Sequence, residues 1–302
     1  MENIISEIKI LTLNFWLMFR QIAPYWAGGL ITGSLISVFL SEKITEKMSR
    51  LTTLRFWLLP VFLSSILGII SPLCMYGTVP VIAALGKKGV PVHLLISFMI
   101  GSILLNPNIF ILSFALGSGI ALLRLGLSLF SGVLAGTLVF LLLKNKPIFA
   151  LERYSQETQQ DGTPENKKRK TFFADLFKAF RITTPYLLIG ITLTVLFSRY
   201  VPPHWIAAMF GAKRGLGFLF ATTLAVPLYA CGGGTIPLIG LWISEGMSTG
   251  EAMVFMLAGP AVKITNLSAV KMIFNFKYFL LYLAYCIGIA VLSGFVIDFA
   301  LR

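Results

Sequence analysis

The sequence predicts an all-α, polytopic integral membrane protein made of two homologous halves, each with about four to five transmembrane or broken helices. Three observations predict this class. Of the 302 residues, 57% are hydrophobic and only 12% are charged, against about 25% charged residues in a soluble domain. The apolar residues are gathered into long runs, and a motif of the first half returns in the second. A chain this apolar cannot cover a water-facing surface, which excludes the ordinary soluble classes.

The charges are arranged as in a membrane protein. A net charge of +13 would suggest nucleic acid as the partner of a soluble protein. Here the basic residues lie mostly between apolar runs, as loop charges do in membrane proteins. The expected partner is therefore the lipid bilayer and not nucleic acid. No acidic residue lies between Glu46 and Glu152, so the cations in the apolar part of this stretch (Lys87, Lys88 and Arg124) have no carboxylate near them in sequence.

Six apolar runs are candidates for spanning helices, because a span needs about 20 mostly apolar residues. They are Phe15–Leu40, Phe56–Ile70, Ile120–Leu143, Tyr186–Phe197, Leu216–Tyr229 and Tyr278–Ala300. Other apolar segments are too short or too interrupted to cross cleanly: Thr78–Gly86, Val92–Leu105, Asn108–Leu116, Thr235–Ser244 and Glu251–Leu257. Two further segments, Ile4–Phe19 and Phe172–Arg181, fit either amphipathic helices in the headgroup region or N-terminal extensions of the spans that follow them.

One long polar segment, Lys144–Arg181, divides the chain. Its middle has the composition of a disordered linker. It also contains the basic cluster Lys167–Lys170, and an excess of Lys and Arg marks cytoplasmic loops. The predicted organisation is a first transmembrane repeat over residues 1–145, a cytoplasmic basic linker over 146–170 and a second transmembrane repeat over 171–302, in a multi-pass protein of the cytoplasmic (inner) membrane.

The internal repeat is legible in two blocks. Cys74–Pro80 (CMYGTVP) matches Cys231–Pro237 (CGGGTIP) at an offset of 157 residues, and the same offset pairs Asn106 with Lys263. Nearer the N-terminus, an Arg-x-x-x-Pro-Tyr sequence recurs at an offset of 161. Several matches in one register predict a duplication. Whether the two repeats are inverted or parallel stays open at this point.

Each copy of the motif predicts a broken helix. Proline removes a backbone donor, and an unpaired backbone group in hydrocarbon costs several kcal/mol, so irregular backbone belongs inside a bundle or beside a cavity. Thr78 and Thr235 are expected to cap the short helices that follow, with Pro80 and Pro237 in the first turn. Second breaks are expected at 106–108 and 259–263. Symmetric interrupted helices are typical of secondary transporters.

The candidate substrate-binding residues come from these breaks. Glycine allows close backbone approach, threonine offers a hydroxyl, and an intramembrane lysine is by default a functional candidate, although Lys263 could also extend towards an interface. Cys74 and Cys231 are either soft ligands for a metalloid or ordinary small buried residues. The full set is Cys74, Gly77, Thr78, Pro80, Asn106, Cys231, Gly234, Thr235, Pro237 and Lys263.

No catalytic group, metal site or cofactor is expected. Glu251 and Asp298 lie near likely helix ends, and no buried carboxylate pair for proton exchange is visible in the sequence. Cys286 in the last apolar run is expected to serve packing.

These motifs resemble one known family. Pro72–Pro80 followed by Lys88-Gly89, Pro185–Gly190, and Cys231–Pro237 followed by Ala258–Ala261 resemble the signatures of the predicted permeases that include organoarsenical efflux permeases. The resemblance implies an integral-membrane permease, often with eight predicted spans, some members of which export trivalent organoarsenicals.

Two departures from the family pattern bear on the substrate. Tyr76 and Gly233 stand where the family commonly has the second cysteine of Cys-x-Cys, and Val262-Lys263 stands where Thr-Asn is common. Fewer thiols weaken the metalloid interpretation, and the additional cation favours an anionic substrate.

Two classes of function follow. The first is a permease for efflux of a small polar, anionic or metalloid (organoarsenical-like) compound, bound between the two broken-helix motifs. The second is a non-transporting membrane subunit of a hetero-complex, docked through Lys167–Lys170. Assembly as a homodimer is a further alternative. An intramembrane enzyme is disfavoured by the missing carboxylate pair.

Overall fold

The computed structural model describes most of the two helical regions and little between them. The described residues are 2–35, 58–71, 73, 75–87, 89–143, 146, 148–149, a set of positions between 173 and 199, 216–229, 235–244 and 246–301. The loop at 41–55 and nearly all of the basic linker at 146–170 therefore lie outside the described residues. The predictions that this linker is disordered and cytoplasmic concern residues that the structure does not describe.

The described residues form eleven named α-helices. In the first half these are α1 (Glu2–Leu35), α2 (Leu58–Ile70), α3 (Met75–Lys87), α4 (Val92–Leu104), α5 (Pro107–Ser113), a 3-10 turn (Phe114–Leu116) and α6 (Ser118–Leu142). In the second half they are α7 (Leu216–Leu228), α8 (Thr235–Ser244), α9 (Thr249–Val262), α10 (Ile264–Ile273) and α11 (Phe276–Ala300). This part of the chain holds no strand beyond an isolated antiparallel bridge between Phe149 and Phe274, which confirms the all-α class.

Among the helices that the structure describes, two are long and apolar enough to cross a bilayer unaided. α6 and α11 have 25 residues each, about 37 Å at 1.5 Å per residue. The pair Val92–Leu104 and Ile109–Leu116, bent by 46°, makes a third if it is counted as one broken span. Large apolar side chains cover the outer faces of α6 and α11, including Leu122, Phe130, Leu142, Leu292, Phe295 and Phe299. A lipid environment accounts for this exposure, and the chain is a multi-pass membrane protein.

The first helix settles one of the alternatives left by the sequence. α1 runs without a break from Glu2 to Leu35, so Ile4–Phe19 extends the span that follows it. Near its start, the Glu7 carboxylate accepts hydrogen bonds from Nε and Nη2 of Arg199, at 3.2 and 2.5 Å. The Arg199 guanidinium lowers the pKa of Glu7, which precedes the predicted span.

Small residues bring α2, α4 and α6 close together. Ser64 Oγ donates to the Leu94 carbonyl at 2.7 Å, and Ser97 Oγ donates to the Val61 carbonyl at 2.9 Å. A Cβ on Gly101 would lie 2.6 Å from the Ser65 carbonyl oxygen. Close backbone approach with side-chain hydrogen bonds is how helices associate where no water drives apolar surfaces together.

A polar cluster joins α9 to α11 in the second half. Ser248 caps α9 in a capping box with Glu251, and its hydroxyl also donates to Asp298 Oδ2 at 2.7 Å. Asp298 Oδ1 accepts from the Gly250 N–H at 2.7 Å. This cluster (Ser248, Glu251 and Asp298) satisfies backbone donors at the start of α9 and fixes them to the last turns of α11.

α6 and α11 cross near their midpoints in opposite directions. The Tyr285 hydroxyl donates to the Ser131 carbonyl at 2.5 Å. Beyond the end of α6, Phe149 forms its bridge with Phe274, just before α11 starts, and their rings meet edge to face at 5.1 Å. The C-terminal end of one long helix therefore lies beside the N-terminal end of the other.

Candidate functional site

The first predicted break is present, but it lies about three residues earlier than the sequence indicated. α2 ends at Ile70 and α3 begins at Met75, which leaves Ser71–Cys74 between them. The expectation for Thr78 is wrong, because α3 starts three residues before it and Thr78 lies inside the helix. Its buried hydroxyl lies 2.9 Å from the Ser102 hydroxyl of α4. Pro80 consequently falls in the second turn of α3 and not in the first.

The second predicted break is also present. α7 ends at Leu228 and α8 begins at Thr235, with the chain between them outside the described residues except for Tyr229. Thr235 is the first residue of α8 and is buried. Pro237 lies in the first turn of α8, as predicted, where its missing N–H costs nothing.

The two later breaks fall at positions related by the 157-residue offset. Asn106 separates α4 from α5, and its Oδ1 accepts from the Ile109 N–H at 2.9 Å, which caps α5. Lys263 separates α9 from α10 and is half-buried. The sequence predicted a break over 259–263, but α9 continues through Gly259 and Pro260, and only Lys263 interrupts it.

Side chains satisfy the carbonyls freed at the end of α9. Asn266 Nδ2 donates to the Pro260 carbonyl, and the Tyr282 hydroxyl donates to the Ala261 carbonyl at 3.1 Å. In a membrane these acceptors have no water to bond. Side chains of α10 and α11 therefore stabilise the break at Lys263 inside the bundle.

Arg124 supplies a third such bond. Pro260 has no N–H, so the Met256 carbonyl one turn earlier has no helical donor. Nη2 of Arg124 donates to this carbonyl at 3.1 Å and to the Tyr229 hydroxyl, also at 3.1 Å. Nη1 donates to Ser113 Oγ at 3.0 Å. The guanidinium of α6 thereby joins the end of α5, the break after α7 and the middle of α9.

Aromatic rings of the second half pack around Tyr229, a partner of this guanidinium. Tyr229 packs on Gly259, where a Cβ would overlap its ring. Phe255 lies beside Tyr229, with ring centroids 5.8 Å apart, and meets Trp242 edge to face at 5.2 Å. The glycine and the proline of the Ala258–Ala261 motif thus have separate roles: Gly259 admits the tyrosine ring and Pro260 frees the carbonyl that Arg124 binds.

Sequence reasoning missed Arg124 as a site residue. It noted the cation in an apolar run, but its three partners come from three different parts of the chain. The signal that could have found it is the absence of carboxylates between Glu46 and Glu152, because a cation within a span and without a local counter-charge is a functional candidate.

The carboxylate prediction also needs correction. Glu251 and Asp298 do lie near helix ends, as expected, but the Ser248 backbone N–H donates to Glu251 at 2.9 Å and the Ser248 hydroxyl donates to Asp298. The two acids therefore share one serine, and Glu251 is buried. They are 47 positions apart in sequence, which hid the pair.

The remaining predicted residues divide into two groups. Gly77, Pro80 and Pro237 lie in helices, but the surroundings of their side chains are not described, and Cys74, Cys231 and Gly234 lie outside the described residues. Across the halves, α3 packs on α10, α8 on the 3-10 turn, α4 on α9 and α6 on α11. In each half, the helix after the first break (α3 or α8) therefore packs against a segment that follows the second break of the other half (α10 or the 3-10 turn).

Comparison with known proteins gives concordant results. A family described as predicted permeases, ArsP_1, matches residues 9–299. UPF0718 protein YcgR of Bacillus subtilis (strain 168) is 25% identical over 294 residues, which are 96% of this chain and 97% of that protein.

Two further relatives are similar over most of the chain. A "putative two-component membrane permease complex subunit" of Streptococcus mutans is 25% identical over 85% of this chain and 84% of its own length. UPF0718 protein YraQ of Escherichia coli (strain K12) is 25% identical over 82% of this chain and 69% of its own length. No solved structure matches.

Proposed function

The chain belongs to the predicted permease family whose match spans residues 9–299, and from this premise we propose that it exports a small polar, anionic or metalloid compound across the cytoplasmic membrane. The observation that carries the proposal is the set of four helix ends inside an apolar bundle, after Ile70, Leu104, Leu228 and Val262, each followed by a further helix. Broken helices at membrane depth are tolerated where they line a cavity or lie within protein.

The helix order supports a duplicated transporter. Shifted by 157 residues, the starts of α2, α3, α4, α5 and α6 fall within three residues of the starts of α7, α8, α9, α10 and α11. The packing between the halves follows the same correspondence, because α3 on α10 has its counterpart in α8 on the segment after Asn106. We therefore propose two repeats, over 1–145 and 171–302, joined by a cytoplasmic linker over 146–170.

The directions of the helices favour inverted repeats. α6 and α11 are counterparts under the offset, and they run antiparallel through the contact of Ser131 with Tyr285. Glu7 lies near the start of α1 and pairs with Arg199. Under the 161-residue offset, Arg199 lies just beyond the position that corresponds to the C-terminal end of α1. Both contacts are expected from a two-fold axis in the membrane plane, as in inverted-repeat transporters.

The proposed substrate path runs between the two broken-helix motifs. Its hydrogen-bonding groups would be Thr78, Thr235 and the backbone at Gly77 and Gly234, with Asn106 and Lys263 at the later breaks. Cys74 and Cys231 would supply soft contacts if the compound is a metalloid. Export is proposed as the direction because the sequence motifs resemble those of permeases that include organoarsenical efflux permeases.

The proposal is tested with the purified full chain in proteoliposomes. The vesicles are loaded with arsenite, methylarsenite, arsenate or phosphate, and release is followed with and without protein. A parallel screen compares a deletion strain with its parent for sensitivity to arsenicals, antimonials and oxyanions. We expect at least one compound to be released faster from vesicles that contain the protein than from loaded vesicles without protein. Equal release of all of them, with no sensitivity phenotype, would contradict the proposal.

A second candidate function is a subunit of a two-chain membrane complex. The name of the Streptococcus mutans relative describes a permease complex subunit, and this supports the same arrangement here. The basic cluster Lys167–Lys170 would dock the partner. Co-purification with a second membrane protein in stoichiometric amount, together with transport that needs both chains, would favour this candidate. A chain that transports alone would exclude it, and cross-linking to a second copy would instead indicate a homodimer.

A further inference from the structure

We infer that Arg124 is the anion-binding group of this permease, and that the compound it moves carries a carboxylate or another oxyanion. The inference rests on the proposed function and names the substrate class of the same path between the halves. It assigns the charge role to Arg124 of α6, where the sequence alone pointed to Lys263.

The burial of Arg124 is the first observation. Its relative exposure is 0%, and with Trp242 it is among the largest fully buried side chains. Arginine in a span usually reaches for the interface with its long side chain. Here the guanidinium instead turns into the bundle, where the bonds to Ser113, Tyr229 and Met256 hold it.

The second observation is that all three partners are neutral. Of the acidic residues that the structure describes, Glu251 and Asp298 bond Ser248 and its neighbours, and Glu7 pairs with Arg199. Within the described residues, no carboxylate therefore neutralises Arg124. Burying an unpaired charge is expensive, so a fixed positive charge of this kind is a candidate to bind an anion.

The third observation is unused hydrogen-bonding capacity. A guanidinium has five N–H donors, and three hydrogen bonds are accounted for. Arg124 Nε is buried and has no partner among the described residues. One turn further along α6, the buried Ser128 hydroxyl is also without a partner in this part of the chain. Nη2 already uses both of its N–H groups on Tyr229 and Met256, so Nε–H is a buried, charged donor that is available to one oxygen of an oxyanion.

The position of the Arg124 guanidinium fits a transported ligand. Arg124 lies on α6, one of the two long helices that cross between the halves, and its partners Tyr229 and Met256 belong to the other half. Tyr229 lies two residues before Cys231, where the second broken-helix motif starts. An anion bound here would contact both repeats, and it would feel any relative movement of α6 and α9.

The experiment measures anion binding by the full chain in lipid nanodiscs. Acetate, benzoate, phosphate, methylphosphonate and sulfate are added at constant ionic strength, with acetamide as the neutral analogue of acetate. Binding is read from the rise of the unfolding temperature with concentration, because a ligand that binds only the folded state stabilises it by mass action. At least one anion should protect in a saturable manner, and acetamide should not.

Arg124→Met should weaken the binding of that anion by about tenfold to a hundredfold, as expected for loss of a charge-assisted hydrogen bond. Lys271→Met is the matched control, because Lys271 is an exposed cation at the end of α10, and it should bind like the wild type. Arg124→Lys keeps the charge without the Nε–H donor and should lie between them. If Arg124→Met does not fold, Arg124→Lys carries the test, with Lys271→Met as its control.

Unchanged anion affinity in Arg124→Met or Arg124→Lys overturns the inference, as does the absence of protection by every anion in the panel. A purely structural arginine would lower the unfolding temperature of the variants without changing anion affinity. The two proposals fail separately: if wild type and Arg124→Met export a neutral arsenical at equal rates, the permease stands and the anion site falls. If the wild type binds anions but moves no solute, the site stands and transport by the single chain falls.

Discussion

The contact between α2 and α4 predicts the effect of a single methyl group. Gly101→Ala would place a Cβ 2.6 Å from the Ser65 carbonyl oxygen, whereas carbon and oxygen atoms at helix interfaces approach to about 3.3 Å. The two helices must therefore separate by about 0.7 Å. This would stretch the bonds from Ser64 to Leu94 and from Ser97 to Val61, now 2.7 and 2.9 Å, to about 3.4 and 3.6 Å, at the limit of a hydrogen bond.

The expected cost follows from these terms. Overpacking typically costs about 1–3 kcal/mol, which includes weakened interhelical bonds of about 0.6 kcal/mol each. Alanine recovers up to about 1 kcal/mol through its higher helix propensity. The net destabilisation of Gly101→Ala is therefore about 1–2 kcal/mol.

The assay is reversible unfolding by dodecyl sulfate in mixed micelles, followed by circular dichroism. Gly126→Ala is the control, because a Cβ at Gly126 of α6 meets no atom within 4 Å, and it should leave stability unchanged or raise it by up to about 1 kcal/mol. If Gly101→Ala is as stable as Gly126→Ala, the close approach of α2 and α4 is refuted.

Three further predictions concern other contacts. Ser248→Ala removes the cap of α9 and a hydrogen bond to Asp298, and it should lower the free energy of unfolding by about 1–2 kcal/mol. Ser244→Ala, at an exposed serine of α8, is the control. An equal or smaller loss in Ser248→Ala would contradict a stabilising role of the Ser248, Glu251 and Asp298 cluster. Tyr282→Phe removes the donor to the Ala261 carbonyl and should cost about 1 kcal/mol in the same unfolding assay, and no measurable change would exclude that bond. In a chain without its three native cysteines, Phe149→Cys with Phe274→Cys should form a disulfide on mild oxidation, because bridged residues have Cα atoms about 4.5–5.5 Å apart, within the range for a disulfide. Phe149→Cys with Phe276→Cys should not, and the reverse pattern would contradict the bridge between Phe149 and Phe274.

The sequence predicted the broken helices well because the determinants are local. Proline and glycine act within one turn, so the breaks before Met75 and Thr235 and the cap at Asn106 could be located from a few residues. The errors also concern local rules. Thr78 was expected to cap a helix that in fact starts at Met75, three residues earlier, because a helix in a bundle starts where packing allows it.

The interior of the site could not be predicted because its partners are distant in sequence. Pro260 reads as a helix break, yet α9 continues past it, since Arg124 takes the freed Met256 carbonyl from 132 positions away. The pairing of Glu251 with Asp298 through Ser248 has the same origin. Such contacts depend on which helices become neighbours, and one sequence does not specify this.

The cluster of Ser248, Glu251 and Asp298 limits how the halves can move. If α9 slid along α11, the hydrogen bonds of Asp298 to the Ser248 hydroxyl and to the Gly250 N–H would break together. These bonds therefore hold the two helices together as one rigid unit. At the corresponding position of the first half, Pro91 precedes α4 and makes no side-chain capping bond. A motion of the second half would therefore carry α9 and α11 together, whereas in the first half α4 is held to α2 by the Ser64 and Ser97 bonds.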